Sequence, residues 1–190
     1  MNSRLDPIVL EGRFVRLEPL APEHAEDLAL VAEPELFTYH FPPDALTPAG
    51  FRQQIEMLQA RESWRPFAQV ATDTGRAVGV TCYLDVSPID EWVEIGHTWI
   101  ARERHGTKIN PEAKLLLLDN AFANGFGRVQ LKTDALNLHS QAALQKLGAQ
   151  REGVLRRNKW TPGGRIRDTV VYGILAKEWP GVRAGLLARL

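Results

Sequence analysis

The sequence predicts an α+β fold with seven strands and about four helices, and three features of the pattern lead to it. Three segments rich in β-branched and aromatic residues follow one another in the middle of the chain. The last of them begins a strand-helix-strand-helix unit. In this unit the spacing of apolar residues switches between the period of a strand and that of a helix. Two more strand-like segments flank a Thr-Pro-Gly-Gly turn near the end.

The first third of the chain predicts one strand and two helices. Apolar residues around Phe14 to Leu17 are typical of a strand. A helix is expected to begin near Pro22, because carboxylates follow at once and the helix dipole favours them there. Thr47 and Pro48 form an N-cap and first-turn pair for a second helix. The apolar residues of this helix recur at helical spacing: Phe51, Ile55 and Leu58.

Three antiparallel strands are predicted in the middle of the chain. They cover Phe67 to Ala71, Ala77 to Asp85 and Trp92 to Ile100. The breaks at residues 73–75 and 87–88 are typical of hairpin turns. Consecutive strands should therefore be neighbours in the sheet.

The remaining elements alternate between helix and strand. Pro111 to Asn124 is too long and too rich in Ala and Leu for a strand, so a buried helix is predicted. Val129 to Thr133 alternates as a strand does, and Ser140 to Leu147 returns to helical spacing before Gly148. Two final strands, near residues 153–155 and 169–175, should form a hairpin, and the tail after residue 180 a short amphipathic helix.

Length and composition indicate one domain without a secretory or membrane segment. A chain of 190 residues with 44% hydrophobic content is long enough for one core but short for two, so residues 1–190 are expected to form one domain. Cys82 is the single cysteine and lies among apolar residues, which predicts a buried structural thiol. The N-terminus resembles neither a signal peptide nor a membrane span, so a cytoplasmic location is expected.

Charge is balanced over the chain but clustered locally. The 23 Lys and Arg match the 23 Asp and Glu, which gives no general attraction to nucleic acid or to a membrane. No Lys or Arg occurs between Arg16 and Arg52, so that stretch is acidic. Basic residues crowd into the region from Arg151 to Arg167, where a solvated hairpin is the default interpretation.

The most informative segment runs from Trp99 to Lys114 and joins a strand to a helix. Asn110 is placed to cap this helix, so free main-chain N–H groups and the positive dipole end should point into the loop. Gly106 lets the backbone approach phosphate oxygens closely. Three basic side chains can add charge-assisted contacts: Arg102, Arg104 and Lys108. These features predict a pyrophosphate site, although a plain helix cap with solvated arginines would look similar.

In this context the chain resembles the GCN5-related N-acetyltransferase (GNAT) superfamily, in particular its RimJ/RimL-type branch. The resemblance covers nearly the whole chain. It rests on the segments 10–20, 94–100, 106–114 and 133–137, and on Ser140, 147–149, 151–153, 167–168 and 178–179. Glu103 and Lys108 depart from the family's Arg/Gln-x-x-Gly-x-Gly/Ala loop pattern, and a lysine at the second glycine position would either contact a phosphate or clash with it.

The resemblance implies a fold and a donor. The fold is a three-layer arrangement around a mostly antiparallel seven-stranded sheet, splayed between the fourth and fifth strands. The pantetheine of acetyl-CoA would enter the splay, with its pyrophosphate on the loop before the third helix. The implied cofactor-binding residues are Trp99, Ile100, Arg104, His105, Gly106, Thr107, Lys108, Ile109, Asn110, Asn137 and Ser140.

The resemblance also implies candidates for the proton transfers. The attacking amine must lose a proton, and Glu94 on the fourth strand is the first choice for a base. His97 is the rival, and regular strand alternation would place it opposite Glu94, so that one of the two misses the acceptor. Ser140 is the candidate acid for the departing thiolate, and helix capping by Asn137 or Ser140 is the alternative. The oxyanion would be held by main-chain N–H groups near Trp99.

The acceptor is expected to be a primary amine. In this fold the first two helices and their loop wall the acceptor site, here the acidic stretch with Tyr39 and His40, which favours a cationic amine such as a protein N-terminus or a small amine. Expected partners are acetyl-CoA and this acceptor, with a homodimer left open and neither metal, membrane nor nucleic acid expected. The basic region could also hold the 3′-phosphate of CoA or meet ribosomal RNA. A non-catalytic acyl-CoA sensor on the same scaffold is the alternative function.

Overall fold

The computed structural model describes residues 5–6 and 8–190, and within them one sheet of eight strands forms the centre. The strands are β1 (Leu10–Glu11), β2 (Val15–Pro19), β3 (Arg65–Ala71), β4 (Arg76–Ser87), β5 (Trp92–Ile100), β6 (Arg128–Asp134), β7 (Gln150–Trp160) and β8 (Ile166–Leu175). They lie in the order β1-β2-β3-β4-β5-β6-β8-β7. Neighbouring strands are antiparallel except β5 and β6, which run parallel.

Five α-helices in the described part of the chain cover the two faces of the sheet. They are α1 (Ala25–Val31), α2 (Pro48–Gln59), α3 (Ile109–Ala123), α4 (Leu138–Leu147) and α5 (Trp179–Leu187). One apolar cluster joins α1 and α2 to the sheet, and a second joins α3, α4 and α5 to it. The three-layer α+β arrangement is confirmed. None of the helices in the described ranges has the length and the hydrophobicity that crossing a bilayer demands.

All the predicted elements are found, with three differences in extent. β1 is an additional edge strand of two residues, too short to leave a periodic signal in the sequence. The tail forms a complete helix, α5, which brings the number of helices above the expected four. β7 and β8 are longer than predicted, and β7 is exposed along almost its whole length, so no apolar alternation marks its ends.

The parallel pair β5 and β6 is joined only at its beginning. Three pairs connect the strands, from Trp92 with Arg128 to Glu94 with Gln130. Beyond Glu94 the two strands part, and the free edge of β5 faces a gap in the sheet. β5 and β6 are the fourth and fifth of the seven predicted strands, so the expected splay is confirmed.

Candidate active site

A cleft of about 480 Å³ opens where β5 and β6 part. The free edge of β5 from Ile95 to Ile100 lines it, and Leu131 to Asp134 of β6 face that edge across the gap. Residues from the segments 35–40, 102–106 and 137–140 complete the lining together with residues of α3, α4 and β8. The cleft is therefore built by the same sheet opening that the sequence predicted.

A bulge in β5 shapes the wall of this cleft. Val80–Cys82 of β4 pairs with Gly96–Trp99 of β5, so β5 carries one extra residue there. His97 adopts a left-handed backbone with φ of 48° at this point. The bulge reverses the alternation of side chains, because Ile95 packs in the cluster under α3 while Trp99 packs in the cluster of α1 and α2.

The bulge places Glu94 and His97 on the same face of the sheet. Val93 and Ile95 point into the cluster under α3, so Glu94 between them points to the opposite face. The His97 ring lies on that face too, with its centroid 6.3 Å from the ring of Trp64, which packs on the α1 and α2 cluster. The expectation that strand alternation separates Glu94 from His97 is wrong, because the extra residue resets the alternation.

The loop before α3 leaves main-chain N–H donors free, as the sequence predicted. The helix, however, begins at a different residue from the one expected. The helix begins at Ile109, and its N-cap residue Lys108 makes no side-chain cap. Asn110 lies inside the first turn and is not the cap; its side-chain oxygen is buried in the cleft without a partner. Among the described residues, the N–H groups of Gly106, Lys108 and Asn110 donate to no acceptor. Gly106 has a φ of 74°, which favours glycine.

The basic side chains of this loop are engaged elsewhere in the protein. Arg102 Nε lies 2.8 Å from Glu33 Oε2, and Arg104 Nη1 lies 2.7 Å from Asp73 Oδ2. The Lys108 ammonium donates to the main-chain oxygen of the C-terminal residue and lies over the Phe14 ring. The Lys108 side chain thus leaves the helix start open rather than blocking it.

Two other candidates of the loop contribute main chain rather than side chains. Thr107 Oγ1 donates to Arg104 O over 2.7 Å, and Ile109 is buried in the core. Neither side chain belongs to the cleft lining, whereas His105 and Gly106 both do. At positions 107 and 109 a ligand at this loop would therefore meet the peptide groups and not the side chains.

Glu112 fixes the start of α3 to the sheet. Its carboxylate accepts hydrogen bonds from three consecutive main-chain N–H groups, those of Arg13 and Val15 at 2.9 Å and that of Phe14 at 2.6 Å. The side chain is buried. Sequence analysis did not single it out, and its position in the first turn of α3 was the available signal. The carboxylate holds the open end of α3 beside the cleft.

Lys114 is a buried lysine in the cleft that sequence analysis also missed. Its Nζ donates to Thr98 Oγ1 over 2.9 Å, and the Thr98 hydroxyl lies 2.8 Å from that of Thr81. No carboxylate among the described residues forms an ion pair with it. Burial lowers the pKa of Lys114 to about 7, because the charged form loses its hydration. The Lys114 amino group therefore gains and loses its proton near pH 7.

The start of α4 faces the cleft with a capped helix and a free hydroxyl. Asn137 Oδ1 accepts the N–H of Ser140 over 3.0 Å, so the expected cap is made by Asn137. Ser140 lines the cleft, and its Oγ donates to no described residue. The rings of His105 and His139 stack at 6.2 Å between the loop before α3 and α4. Tyr39 spans the opening from the other side, since its OH donates to the main-chain oxygen of residue 136 over 3.3 Å.

Glu94 lies at the base of the splay rather than in the lining of the cleft. Its carboxylate is 6% exposed, and Oε2 lies 2.6 Å from Lys132 Nζ and 3.4 Å from Gln130 Nε2. Lys132 itself lines the cleft. Glu94 therefore does not line the cleft itself, whereas its ion-pair partner Lys132 does.

Two histidines sit together above Glu94. The ring centroids of His40 and His97 lie 6.3 Å apart, and both residues line the cleft. Burial lowers the pKa of His97 to about 3 and that of His40 to about 4, so both rings are neutral at pH 7. His97 Nε2 is buried and has no hydrogen-bond partner among the described residues.

The charge of the lining is basic, contrary to the expected acidic wall. Five basic residues line the cleft: Arg102, Arg104, Lys114, Lys132 and Arg167. Its carboxylates among the described residues are Glu35 at the exposed rim and Asp134, which pairs with Arg165. Of the other carboxylates in the acidic stretch, Glu26 pairs with Arg52, and Glu33 pairs with Arg102, which is itself one of the five basic residues.

The single cysteine of the chain is buried. Cys82 is fully buried, its thiol donates to the main-chain oxygen of Tyr83, and burial raises the pKa of the thiol. The predicted buried thiol is confirmed. No group of His, Cys, Asp and Glu side chains in the described ranges is arranged to hold a metal ion.

Comparison with known proteins identifies the family to which this cleft belongs. The profile of the family described as Acetyltransferase (GNAT) domain matches residues 15–150. The chain belongs to the GNAT acetyltransferase family. The match spans the sheet from β2 to the start of β7 and so includes the parted strands, the loop before α3 and the start of α4.

Solved structures resemble this GNAT domain over nearly its whole length. A protein of T. thermophilus described as an acetyltransferase is 39% identical, covers 98% of this chain and 98% of its own, and superposes with a TM-score of 0.91. A GCN5-related N-acetyltransferase of Brucella melitensis is 25% identical over 97% of this chain and 86% of its own, with a TM-score of 0.90. No curated protein matches the sequence.

The likeness to the RimJ/RimL-type branch holds at the level of the fold. Mycobacterium smegmatis RimJ, solved in complex with CoA-disulfide, is 22% identical, covers 96% of this chain and 95% of its own, and has a TM-score of 0.84. Together with the family match, these structures show that this GNAT protein is an N-acetyltransferase.

Proposed function

We propose that the protein transfers an acetyl group from acetyl-CoA to a primary amine, by direct attack in a ternary complex. The observation that carries the proposal is the parting of β5 and β6 beside a helix start with free main-chain donors. Acetyl-CoA supplies the thioester carbonyl that the amine attacks, so no acyl-enzyme is required. The buried thiol of Cys82 is consistent with direct attack, because a thiol held protonated by burial is a poor nucleophile.

The donor end of the cleft is built to hold a diphosphate. Three N–H groups, those of Gly106, Lys108 and Asn110, point away from other protein acceptors at the positive end of α3. Main-chain donors at a helix start are a general anion site. Arg102 and Arg104 are near enough to add contacts after exchanging their partners Glu33 and Asp73.

Glu94 is the proposed base for the amine. Its carboxylate is held by Lys132, which lines the cleft, and a proton path through one water would suffice for proton removal. His97 is the weaker candidate, since burial lowers the pKa of its ring to about 3 and a ring with so low a pKa binds a proton poorly at neutral pH. A neutral His97 can still accept a hydrogen bond from the acceptor.

Ser140 and the bulged strand are the proposed partners of the developing charges. The Ser140 hydroxyl is free in the cleft and can donate a proton or a hydrogen bond to the departing sulfur. Main-chain N–H groups of β5 near Trp99 and Ile100 are proposed to bind the oxyanion, since the edge of β5 toward β6 has no strand partner beyond Glu94.

The test separates transfer from binding alone. Calorimetric titration with acetyl-CoA should show binding, and thiol release with a pool of peptides and small amines should show turnover. Binding without thiol release would favour an acyl-CoA sensor over the transferase, and neither result would favour an interaction module. Cys82 adds no background to the thiol assay because it is buried.

The role of Glu94 is tested by a conservative substitution. Glu94→Gln should lower kcat at neutral pH by about 10²-fold or more, the usual contribution of a general base, while acetyl-CoA affinity stays unchanged. Glu56→Gln, at an exposed position on α2, is the matched control. A Glu94→Gln variant with full activity across the pH range would remove Glu94 as the base.

A further inference from the structure

The acceptor end of the cleft carries more positive than negative charge. Three cations, Lys132, Arg165 and Arg167, lie on the same face as two carboxylates, Glu94 and Asp134. Lys132 pairs with Glu94 at 2.6 Å, and Arg165 pairs with Asp134 at 2.5 Å. Arg167 is the cation that remains without an ion pair among the described residues.

Arg167 is held in position but not neutralised. Its Nε donates to Thr169 Oγ1 over 3.0 Å, and the side chain is half-buried in the cleft lining. Burial lowers the pKa of this guanidinium, whereas Asp134 and Glu94 oppose that effect from a distance. Asp168, the next residue on β8, points to the other face and accepts the N–H of Arg157 over 2.7 Å.

The groups around Arg167 do not occupy its outer N–H donors. His40 is close enough that the charge of Arg167 contributes to lowering the pKa of His40, so this ring stays neutral beside it. His97, next to His40, has a buried ring nitrogen that lacks a partner among the described residues. Beside His40 the described part of the pocket therefore offers a planar cation without an ion pair and, at His97, a ring nitrogen without a hydrogen-bond partner.

A half-buried guanidinium without a counter-ion indicates that an anion is missing. Arginine binds carboxylates through two parallel N–H···O bonds, and such pairs are both strong and geometrically specific. A polar group that stays desolvated without a partner costs free energy, and a ligand group that pairs with it recovers that cost. The planar fork of Arg167 thus suits a carboxylate better than a second ammonium.

We propose that Arg167 binds a carboxylate of the acceptor, so that the acceptor class is an amino acid or a similarly small amine with a carboxylate a few bonds away. This inference rests on the proposed transfer to a primary amine. It narrows the cationic acceptor expected from the sequence, since Glu35 at the exposed rim is the one carboxylate that the described acidic stretch contributes to the cleft lining. The amine of such an acceptor would lie toward His97 and the Lys132–Glu94 pair while its carboxylate lies on Arg167.

The experiment compares acceptors that differ only in the carboxylate. An α-amino acid, its amide and the corresponding decarboxylated amine are assayed with acetyl-CoA by thiol release, over a panel of side chains. For the preferred side chain, the acid should have a kcat/KM at least about tenfold above that of the amide, the factor that corresponds to about 1.4 kcal/mol. Equal kcat/KM values for acid and amide would overturn the proposal and leave the transferase function intact.

Variants of Arg167 assign the preference to this residue. Arg167→Gln should remove the preference, mainly by raising KM for the acid far more than KM for the amide. Arg167→Lys should restore part of it, because a lysine keeps the charge but not the fork. Arg156→Gln on the exposed strand β7 is the control and should change neither value. Equal losses for acid and amide in Arg167→Gln would contradict the proposal.

A binding measurement decides the question even without turnover. The acid and its amide are titrated calorimetrically into protein saturated with CoA, with wild type and Arg167→Gln side by side. Binding of the acid alone, lost in Arg167→Gln, would support the carboxylate site even if thiol release failed and the transferase function fell. Equal binding of acid and amide, or binding of neither, would overturn it.

Discussion

Lys114 shows how a single buried charge makes stability depend on pH. In the unfolded chain a lysine keeps its proton up to about pH 10.4, whereas burial lowers the pKa of Lys114 in the folded protein to about 7. Between these two values the unfolded chain binds one proton more than the folded protein. Stability must therefore rise with pH over this window, and it is reduced below pH 7, where the folded protein carries the buried charge.

We predict that Lys114→Met stabilises the protein at pH 7 and below and abolishes this rise. Methionine matches the length of the lysine stem without its charge. The measurement is the free energy of unfolding by urea at several pH values from 6 to 10, for wild type and variant. A difference between the two proteins that stays constant over this range would contradict the pKa of Lys114.

Sequence patterns found some residues of the site and missed others for identifiable reasons. Ser140, Gly106 and Asn110 were predicted because a loop, a cap and a helix start leave local signals, and all three line the cleft. Lys114 and Arg167 were missed because their meaning depends on the absence of a counter-ion, which only packing reveals. Lys114 and Arg167 are therefore the main cleft residues that sequence patterns alone could not identify.

At the scale of elements, the start of α3 depends on one carboxylate that bridges it to the beginning of β2. Glu112→Ala would leave three main-chain N–H groups without their acceptor, one of them buried and two part-buried. A buried donor without a partner costs about 1–3 kcal/mol, so we predict a loss of about 3 kcal/mol in the free energy of unfolding, measured by chemical denaturation. Glu56→Ala, at an exposed helical position, should stay within about 0.5 kcal/mol of wild type.

The loop before α3 can be tested through the glycine at its positive φ. Gly106 and Gly164 have φ values of 74° and 72°, and an added Cβ would meet nothing within 4 Å at either position. An alanine at either site should therefore cost a similar amount, about 1 kcal/mol, from backbone strain alone. We predict that Gly106→Ala also weakens acetyl-CoA binding in a calorimetric titration, whereas Gly164→Ala does not. Equal affinities in the two variants would argue against the loop as the donor site.

Element boundaries were predictable where turns and caps mark them and not where pairing alone sets them. The Thr161–Gly164 turn and the Thr47 cap are found as predicted. The bulge in β5 carries no sequence signal, since His97 is an ordinary residue in a left-handed conformation. That single extra residue reversed the predicted sides of Glu94 and His97.

At the scale of the whole molecule, the two parts of the sheet are joined at the base of the splay and across the back. Three residue pairs connect β5 to β6, and both strands share the apolar cluster under α3 and α4. α5 ties these helices together, since Trp179 Nε1 and Arg183 Nε both donate to Asp119 of α3 and Arg189 donates to the main chain of α4. These contacts hold the two parts of the sheet together beside the cleft.

We predict that acetyl-CoA slows amide hydrogen exchange mainly along the two free strand edges. The affected segments are residues 95–100 of β5 and 131–134 of β6, because a donor lying in the splay would shield their main-chain groups. β3, away from the splay, is the internal control and should change little. Protection spread evenly over β3 and β5 would indicate general stabilisation and contradict donor binding between the strands.

The surface that we propose for donor binding consists largely of peptide groups, and this would make it tolerant of sequence change. Amides at positions 108 and 110 present the same N–H whatever side chain they carry, except proline, whereas position 106 favours glycine for its backbone conformation. Replacement of Lys108 or Glu103 by alanine should accordingly change donor affinity very little. A proline at 108 or 110 should lower it, because it removes the N–H. Such a surface can keep its binding chemistry while its sequence diverges, so the departures at Glu103 and Lys108 are compatible with a retained activity.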